Sequence, residues 1–381
     1  MLDRGDGMKL KQGAAALAAA MLLCTAPCGA ACLEEETSAA SAVVYDAWSG
    51  ETLFEHNKDV RRGMASTTKI MTALVALEQY DPAAEVEIDA AWCGAEGSSM
   101  YLRPGETLTV EDLLYGLLLE SGNDAAMALA GLDPEGCGGF VEKMNEKARA
   151  LGLENTHFCN PSGLSDPEHY ATALELAQIT AAAMTDPRFA AIVGTRSTQR
   201  AGRTLHNHNR LLELPGFCGV KTGYTKATGR CLVSAVENGG RMLLCVTLDD
   251  RDDWADHARL LAKARELYSP QTVIGAGDCG SVPILSGDKG ESRLYCTESV
   301  DHLLREEERG RVRLRLEGPR MVYAPTRAGQ RYGTLRAMLG ERCIGESPVY
   351  FAADCGANPP KTTWWERLLA RFFPGETEQT E

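Results

Sequence analysis

The sequence predicts an α+β fold: an antiparallel sheet with packed helices, followed by a small C-terminal all-β domain. Three observations predict it. A hairpin pattern opens the folded chain, helical patterns fill its middle, and an antiparallel meander closes it before residue 268. A single sheet that joins both ends and carries the helices is the economical way to bury these apolar faces. The chain has 381 residues, 44% hydrophobic and 24% charged, which is ordinary globular composition with room for two domains.

Each element has a local reason. Ala42-Val43-Val44-Tyr45 and Thr52-Leu53-Phe54 are strand-like, with a turn over residues 46–50. Ser66 then opens a helix whose Ile70, Met71, Ala73, Leu74 and Leu77 keep helical spacing on one apolar face. Residues 111–119 form a second helix, broken at Ser121-Gly122-Asn123 and resumed over 124–130. Residues 140–151 and 172–184 are further helices, the latter with Thr172 as N-cap and Glu175 completing a capping box. Residues 219–224, 231–236 and 242–248 are strands, and Glu237-Asn238-Gly239-Gly240 is a hairpin turn. Residues 256–267 return to helix.

Beyond Ser269 short strand-like runs dominate, among them Ser281-Val282-Pro283-Ile284, residues 311–316 and Val349-Tyr350-Phe351. A β domain is expected over residues 271–357, with Asn358-Pro359-Pro360 as a linker. The tail at 360–381 places Trp364, Trp365, Leu368, Leu369, Phe372 and Phe373 on one helical face, and Glu366, Arg367 and Arg371 on the other. It is too short to span a bilayer and suits one that lies in the membrane interface.

The N-terminus reads as a secretory signal over residues 1–31. Arg4, Lys9 and Lys11 precede an apolar run at 14–23, and Gly29, Ala30 and Ala31 follow. Cys32 raises lipidation, although no Leu stands three positions before it. Such a leader implies export, which allows disulfides. Of thirteen cysteines, Cys279, Cys296, Cys343 and Cys355 fall in the β domain and are candidates to pair there; the alternative is that they are small buried apolar groups. A net charge of -14 disfavours nucleic acid as a partner.

The chemistry sits in three short motifs: Ser66-Thr67-Thr68-Lys69, Ser121-Gly122-Asn123 and Lys221-Thr222-Gly223. A serine hydroxyl needs a group to take its proton. One helical turn places the Lys69 amine beside Ser66. A free lysine, with a pKa of ~10.4, is the wrong species for a base at neutral pH. Burial and a second cation, for which Lys221 is the candidate, lower that value. Ser66 at a helix start also offers its backbone N–H as half of an oxyanion hole. The pieces are cheap one by one. Ser286-Gly287-Asp288-Lys289 repeats the first motif in a Gly-rich turn, and Lys361-Thr362-Thr363 nearly repeats the third.

In this order the motifs are the signature of penicillin-binding proteins and class A β-lactamases, with Gly122 where the second motif usually has Asp. Ser-Gly-Asn makes the chain resemble the low-molecular-weight penicillin-binding proteins, the serine D-alanyl-D-alanine carboxypeptidases, over roughly residues 38 to 373. The resemblance implies a β-lactamase/transpeptidase-like catalytic domain at 38–268. It also implies removal of the terminal D-Ala from peptidoglycan stem peptides through an acyl-enzyme on Ser66, acylation by β-lactams, and no metal or cofactor. In that reading Ser121 relays a proton to the leaving amine, and Asn123 hydrogen-bonds the substrate backbone. Lys221 and Thr222 meet its carboxylate, Gly223 lets its backbone approach, and the Tyr224 N–H is the second oxyanion donor. Arg210 is the carboxylate-binding arginine, with Arg251 a weaker candidate. Asn160-Pro161-Ser162-Gly163-Leu164 looks like a family segment that often carries His at Ser162, and no catalytic role is assigned to it. His206 and His208 are read as structural. A β-lactamase, a transpeptidase or an inactive peptidoglycan-binding scaffold stays open as an alternative.

Overall fold

The computed structural model describes residues 35–358 together with Trp364, Trp365 and Leu368. The expected leader, Cys32, the linker after Asn358, the near-repeat at 361–363 and the other tail residues lie outside the described residues. The chain divides into two compact units after Leu267.

The first unit is built on a five-stranded antiparallel sheet. Its strands are β1 (Ser41–Asp46), β2 (Glu51–His56), β3 (Phe217–Thr225), β4 (Gly229–Asn238) and β5 (Arg241–Leu248), in the order β2-β1-β5-β4-β3. The N-terminal hairpin thus joins the later meander in one sheet, as expected. The β4–β5 turn is the two-residue Gly239-Gly240, both at positive φ, with Asn238 opposite Arg241. That backbone is the kind only glycine adopts freely.

Helices cover both faces of the sheet. Val43, Val233, Ala235, Leu244 and Val246 join the core formed with α1 (Lys69–Gln79), α2 (Val110–Leu119), α3 (Asn123–Gly131), α4 (Gly136–Ala150) and α5 (Ala173–Met184). The alternate residues Leu232, Ser234, Cys245 and Thr247 are equally buried and face α6 (Asp253–Leu267), whose His257 sits between the hydroxyls of Ser234 and Thr247. Period-two alternation puts successive residues on opposite faces, so these strands are apolar almost throughout.

Two local expectations need correction. Ser66 lies in a 3-10 turn, Ala65–Thr68, and the α-helix proper starts at Lys69. Thr172 does cap α5 through Glu175 N, but the reciprocal arm of the box is absent. The Glu175 carboxylate instead accepts from Glu154 N, Asn155 N and Thr156 Oγ1, tying down the loop before the 159–170 segment.

The second unit starts at Tyr268. A two-stranded sheet pairs Ser269–Ile274 with Val300–Leu304, and a six-stranded sheet includes Gly277–Leu285, Glu291–Cys296, Val312–Glu317, Arg331–Leu339 and Arg342–Phe351. The cysteines proposed to pair here are free thiols: Cys296 and Cys355 are packed in the unit's own core, while Cys343 is exposed. Ser286 is an exposed turn residue at φ 57, and Lys289 Nζ donates to Asp354 O, so the second Ser-x-x-Lys builds no paired site.

Candidate active site

Lys69 is the centre of the site. Its side chain is fully buried, and Nζ lies 3.0 Å from Ser66 Oγ, 2.7 Å from Asn123 Oδ1 and 2.5 Å from Ser162 O. As an ammonium, Nζ donates to all three. When it loses one proton, the two carbonyl-type acceptors retain the remaining N–H groups, because they have no hydrogen to offer. The lone pair is then left facing the Ser66 hydroxyl. Burial depresses the Lys69 pKa well below the ordinary lysine value, the Lys221 charge lowers it further, and Asp124 opposes both.

Lys221 is buried as well, with Nζ donating to Thr222 O at 2.9 Å, and burial lowers its pKa to about 7. It is not a solvated strand lysine. Register brings it opposite Val233 on the central side of β3.

Asn123 is engaged within the protein. Its Oδ1 is taken by Lys69, and its Nδ2 donates to Glu96 O. Each end of the amide holds one partner inside the protein, which orients Lys69, and Nδ2 keeps a second hydrogen for the substrate contact expected of it. Gly122 has a packing reason: a Cβ there would stand 2.8 Å from Asp124 Oδ1. Asp124 in turn accepts from Met100 N, Leu102 N and Ser99 Oγ, which fastens the 98–102 loop to the motif. Ser121 sits at φ 59 in the break between α2 and α3, with only 4% of its surface exposed.

Gly223 also has a reason within the chain. A Cβ there would lie 3.0 Å from Ser66 N and 3.1 Å from Thr67 N. Glycine lets strand β3 close on the Ala65–Thr68 turn itself. On the other side, Gly163 at φ +87 would place a Cβ 2.0 Å from Ala65 O. The Asn160–Leu164 segment, assigned no role from sequence, therefore both braces the Ala65–Thr68 turn and supplies the Ser162 carbonyl to Lys69.

A cleft of about 240 Å³ opens over these groups, lined by Ser66, Ser121, Thr222, Gly223 and Tyr224, with Ser98, His208, Arg230, Asp253 and Trp254 as further walls. Tyr224 is 64% exposed at its rim. Arg210 stands back from it: its guanidinium lies 5.9 Å from the Trp254 ring. The arginine in the lining is Arg230, paired with Asp253 at 3.0 Å through Nη2 and 3.1 Å through Nε. His208, read from sequence as structural, lines the cleft with Nε2 3.6 Å from Glu120 Oε2; burial and the Lys221 charge lower its pKa. No cluster of three metal-ligating side chains occurs among the described residues. Arg230, Asp253 and Trp254 carry no motif, and the start of β4 and the start of α6, both far from Ser66 in sequence, deliver them.

The arrangement supplies a buried amine that can accept a proton, a hydroxyl in contact with it, and a cleft walled by hydroxyls and cations. Comparison with known proteins points the same way. A family profile described as D-alanyl-D-alanine carboxypeptidase matches residues 29–252, and one described as the C-terminal domain of penicillin-binding protein 5 matches residues 267–356. D-alanyl-D-alanine carboxypeptidase DacF of Bacillus subtilis is 30% identical, aligned over 83% of this chain and 85% of its own. DacB2 of Mycobacterium tuberculosis is 38% identical over 61% of this chain and 84% of its own. The crystal structure of penicillin binding protein 5 from Haemophilus influenzae superposes with a TM-score of 0.73 at 27% identity, covering 85% of this chain and 99% of that one.

Proposed function

Because the chain belongs to the D-alanyl-D-alanine carboxypeptidase family, we propose that Ser66 is its nucleophile, Lys69 the base, and Ser121 the proton relay. The chain is a serine-type D-Ala-D-Ala carboxypeptidase, a hydrolase. The observation that carries the assignment of roles is the 3.0 Å contact of Ser66 Oγ with a lysine whose pKa burial and a neighbouring ammonium depress.

The Ser66 proton moves to Lys69 Nζ as Oγ bonds to the penultimate D-Ala carbonyl carbon. Negative charge forms on the carbonyl oxygen, where the N–H groups of Ser66 and Tyr224 receive it. The C–N bond breaks, and the proton held by Lys69 passes through Ser121 to the leaving amine. Water then attacks the acyl-enzyme with Lys69 again as base. Asn123 and the Ser162 carbonyl keep Lys69 aimed throughout. The terminal carboxylate meets Thr222 and Arg230, which line the cleft, and the charge of Lys221.

Incubation of wild type and Ser66→Ala with a pentapeptide ending in D-Ala-D-Ala, following D-Ala release and penicillin labelling, tests this. Both signals are expected in wild type and neither in the variant. Fast penicillin turnover without D-Ala release would point to a β-lactamase.

Export through residues 1–31 and peripheral attachment through 360–381 complete the reading, placing the enzyme beside its substrate. The support is the charged, apolar, small-residue order at the N-terminus and the exposure of Trp364 and Trp365, at 62% and 58%. No helix among the described residues is long and apolar enough to cross a membrane.

A further inference from the structure

A hydrogen-bond chain runs from the 159–170 loop into the nucleophile turn through His169. The N–H of Cys159 donates to His169 Nδ1 at 3.0 Å. Nδ1 therefore offers its lone pair, and the ring proton sits on Nε2. Nε2 lies 2.7 Å from Thr68 Oγ1, which accepts that proton's hydrogen bond and donates its own hydrogen to Ala65 O at 2.8 Å. The chain has one direction only, and it requires a neutral ring. The surroundings keep it neutral: His169 is 3% exposed, and burial lowers its pKa to about 4, with His157 and Lys69 lowering it and Asp166 raising it. The ring of Phe158 packs edge-on at 5.7 Å and fixes the imidazole plane.

The carbonyl at the end of this chain shares a peptide unit with the Ser66 N–H. The unit is planar, so holding its oxygen sets the direction of its N–H. Ala65 holds φ 47, a backbone region that costs a non-glycine residue on the order of 1 kcal/mol and needs support. Gly163 and Gly223 close on the same unit, leaving it little room to tilt. We infer that His169 is a positioning residue which, through Thr68 and the Ala65 carbonyl, aims the Ser66 N–H at the oxyanion formed during acylation. The inference rests on the role proposed above for that N–H. His169 is not among the residues that line the cleft; it faces a separate cavity of about 420 Å³, with Arg61, Asp166, Tyr170 and Thr228 among its walls.

Two substitutions separate the links. Gln places an amide N–H where Nε2 stood and keeps the donor to Thr68. Asn places a carbonyl where Nδ1 stood and keeps only the acceptor for Cys159. Stopped-flow acylation by a chromogenic cephalosporin, with dissociation constant and rate constant resolved, is measured for wild type, Ser66→Ala, His169→Gln, His169→Asn, His169→Ala and Thr68→Val. His169→Ala and His169→Asn are expected to lose roughly 10- to 100-fold in acylation rate, less than the roughly 100- to 1,000-fold of a deleted oxyanion donor because the N–H is re-aimed and not removed, at an unchanged dissociation constant. His169→Gln recovers most of the rate. Thr68→Val reproduces the loss with the ring intact, and keeps the test available if a ring variant fails to fold. A Thr68→Val enzyme at the wild-type rate, equal losses in Gln and Asn, or a loss confined to binding overturns the inference. If wild type itself is not acylated, the nucleophile assignment falls and the inference with it. Normal wild-type acylation with no Gln-over-Asn order removes the inference alone.

Discussion

The ammonium of Lys221 depresses the pKa of Lys69, the amine 3.0 Å from the Ser66 hydroxyl. Two lysines buried near one another are costly, because neither charge has water to solvate it. The carboxylate of Asp124 partly offsets the cost at Lys69. The remainder keeps a base available at neutral pH, so the site is a place where stability is given up for reactivity.

Removing the Lys221 charge is therefore expected to stabilise the fold and impair the chemistry. Lys221 falls from 10.5 to about 7 in the folded protein. Between those values the unfolded chain binds the extra proton, so stability rises with pH across that window, and the destabilisation is complete below about 7. At neutral pH it amounts to about 4 kcal/mol. Lys221→Met should unfold at a higher temperature at pH 7 than wild type, with the difference shrinking toward pH 10. In the same variant the pH profile of acylation should move to higher pH by on the order of one unit, since Lys69 loses its repelling neighbour. A variant less stable than wild type at pH 6 contradicts the account.

Asn123→Asp keeps the shape of the side chain and puts a carboxylate 2.7 Å from Lys69 Nζ. An adjacent negative charge favours the ammonium, so Lys69 should stay protonated at neutral pH. Penicillin acylation should fall by at least tenfold at pH 7 and recover part of that loss as pH rises toward 10. The Glu96 carbonyl loses its donor, which costs roughly 1–3 kcal/mol of stability. Were Asn123 chiefly a substrate ligand, KM would rise instead and the pH profile would keep its position.

The carboxylate of the substrate distinguishes the two arginines of the Trp254 wall. Arg230 lines the cleft and is already paired with Asp253, while Arg210 is not in the lining and its guanidinium lies 5.9 Å from the Trp254 ring. Arg230→Ala should raise KM for the pentapeptide by about 10- to 100-fold, the scale of a lost charge-assisted contact. Arg210→Ala should raise it less, through a looser Trp254. Steady-state kinetics on both variants ranks them; a larger effect at Arg210 restores the sequence-based choice.

The sheet was legible because its signals are local: alternating strands, a Gly-Gly turn and helices of unmistakable spacing. Ser66 and Lys69 were legible because one helical turn brings them together. Lys221 was legible as the second cation, but not as a buried one, since burial depends on what α1 and the loops do above β3. The contacts that hold Asn123 were not legible because the amide's two partners, Lys69 and the Glu96 carbonyl, are remote in sequence. His169 and the Ser162 carbonyl were missed for a related reason. A backbone carbonyl has no residue type, and a lone histidine in a polar loop looks like any other until Cys159 N–H fixes its tautomer. Motif spacing shows which side chains meet along one element; it does not show which carbonyl a folded loop delivers.

The tail gives the last prediction. Trp364, Trp365 and Leu368 are 62%, 58% and 37% exposed, and the two indole rings stack at 4.0 Å. Exposed neighbouring tryptophans suit the headgroup region of a bilayer. With a net charge of -14 the chain gains no general attraction to anionic lipid, so attachment should come from apolar and interfacial contacts. It should then survive high salt, which screens electrostatic binding within a few ångströms. Full-length protein mixed with phosphatidylcholine or phosphatidylglycerol vesicles is expected to sediment with both, at low and at high salt. A chain ending at residue 359 should remain in the supernatant while releasing D-Ala from soluble pentapeptide at the full rate. Equal partition of the two chains would mean that the tail does not anchor the enzyme.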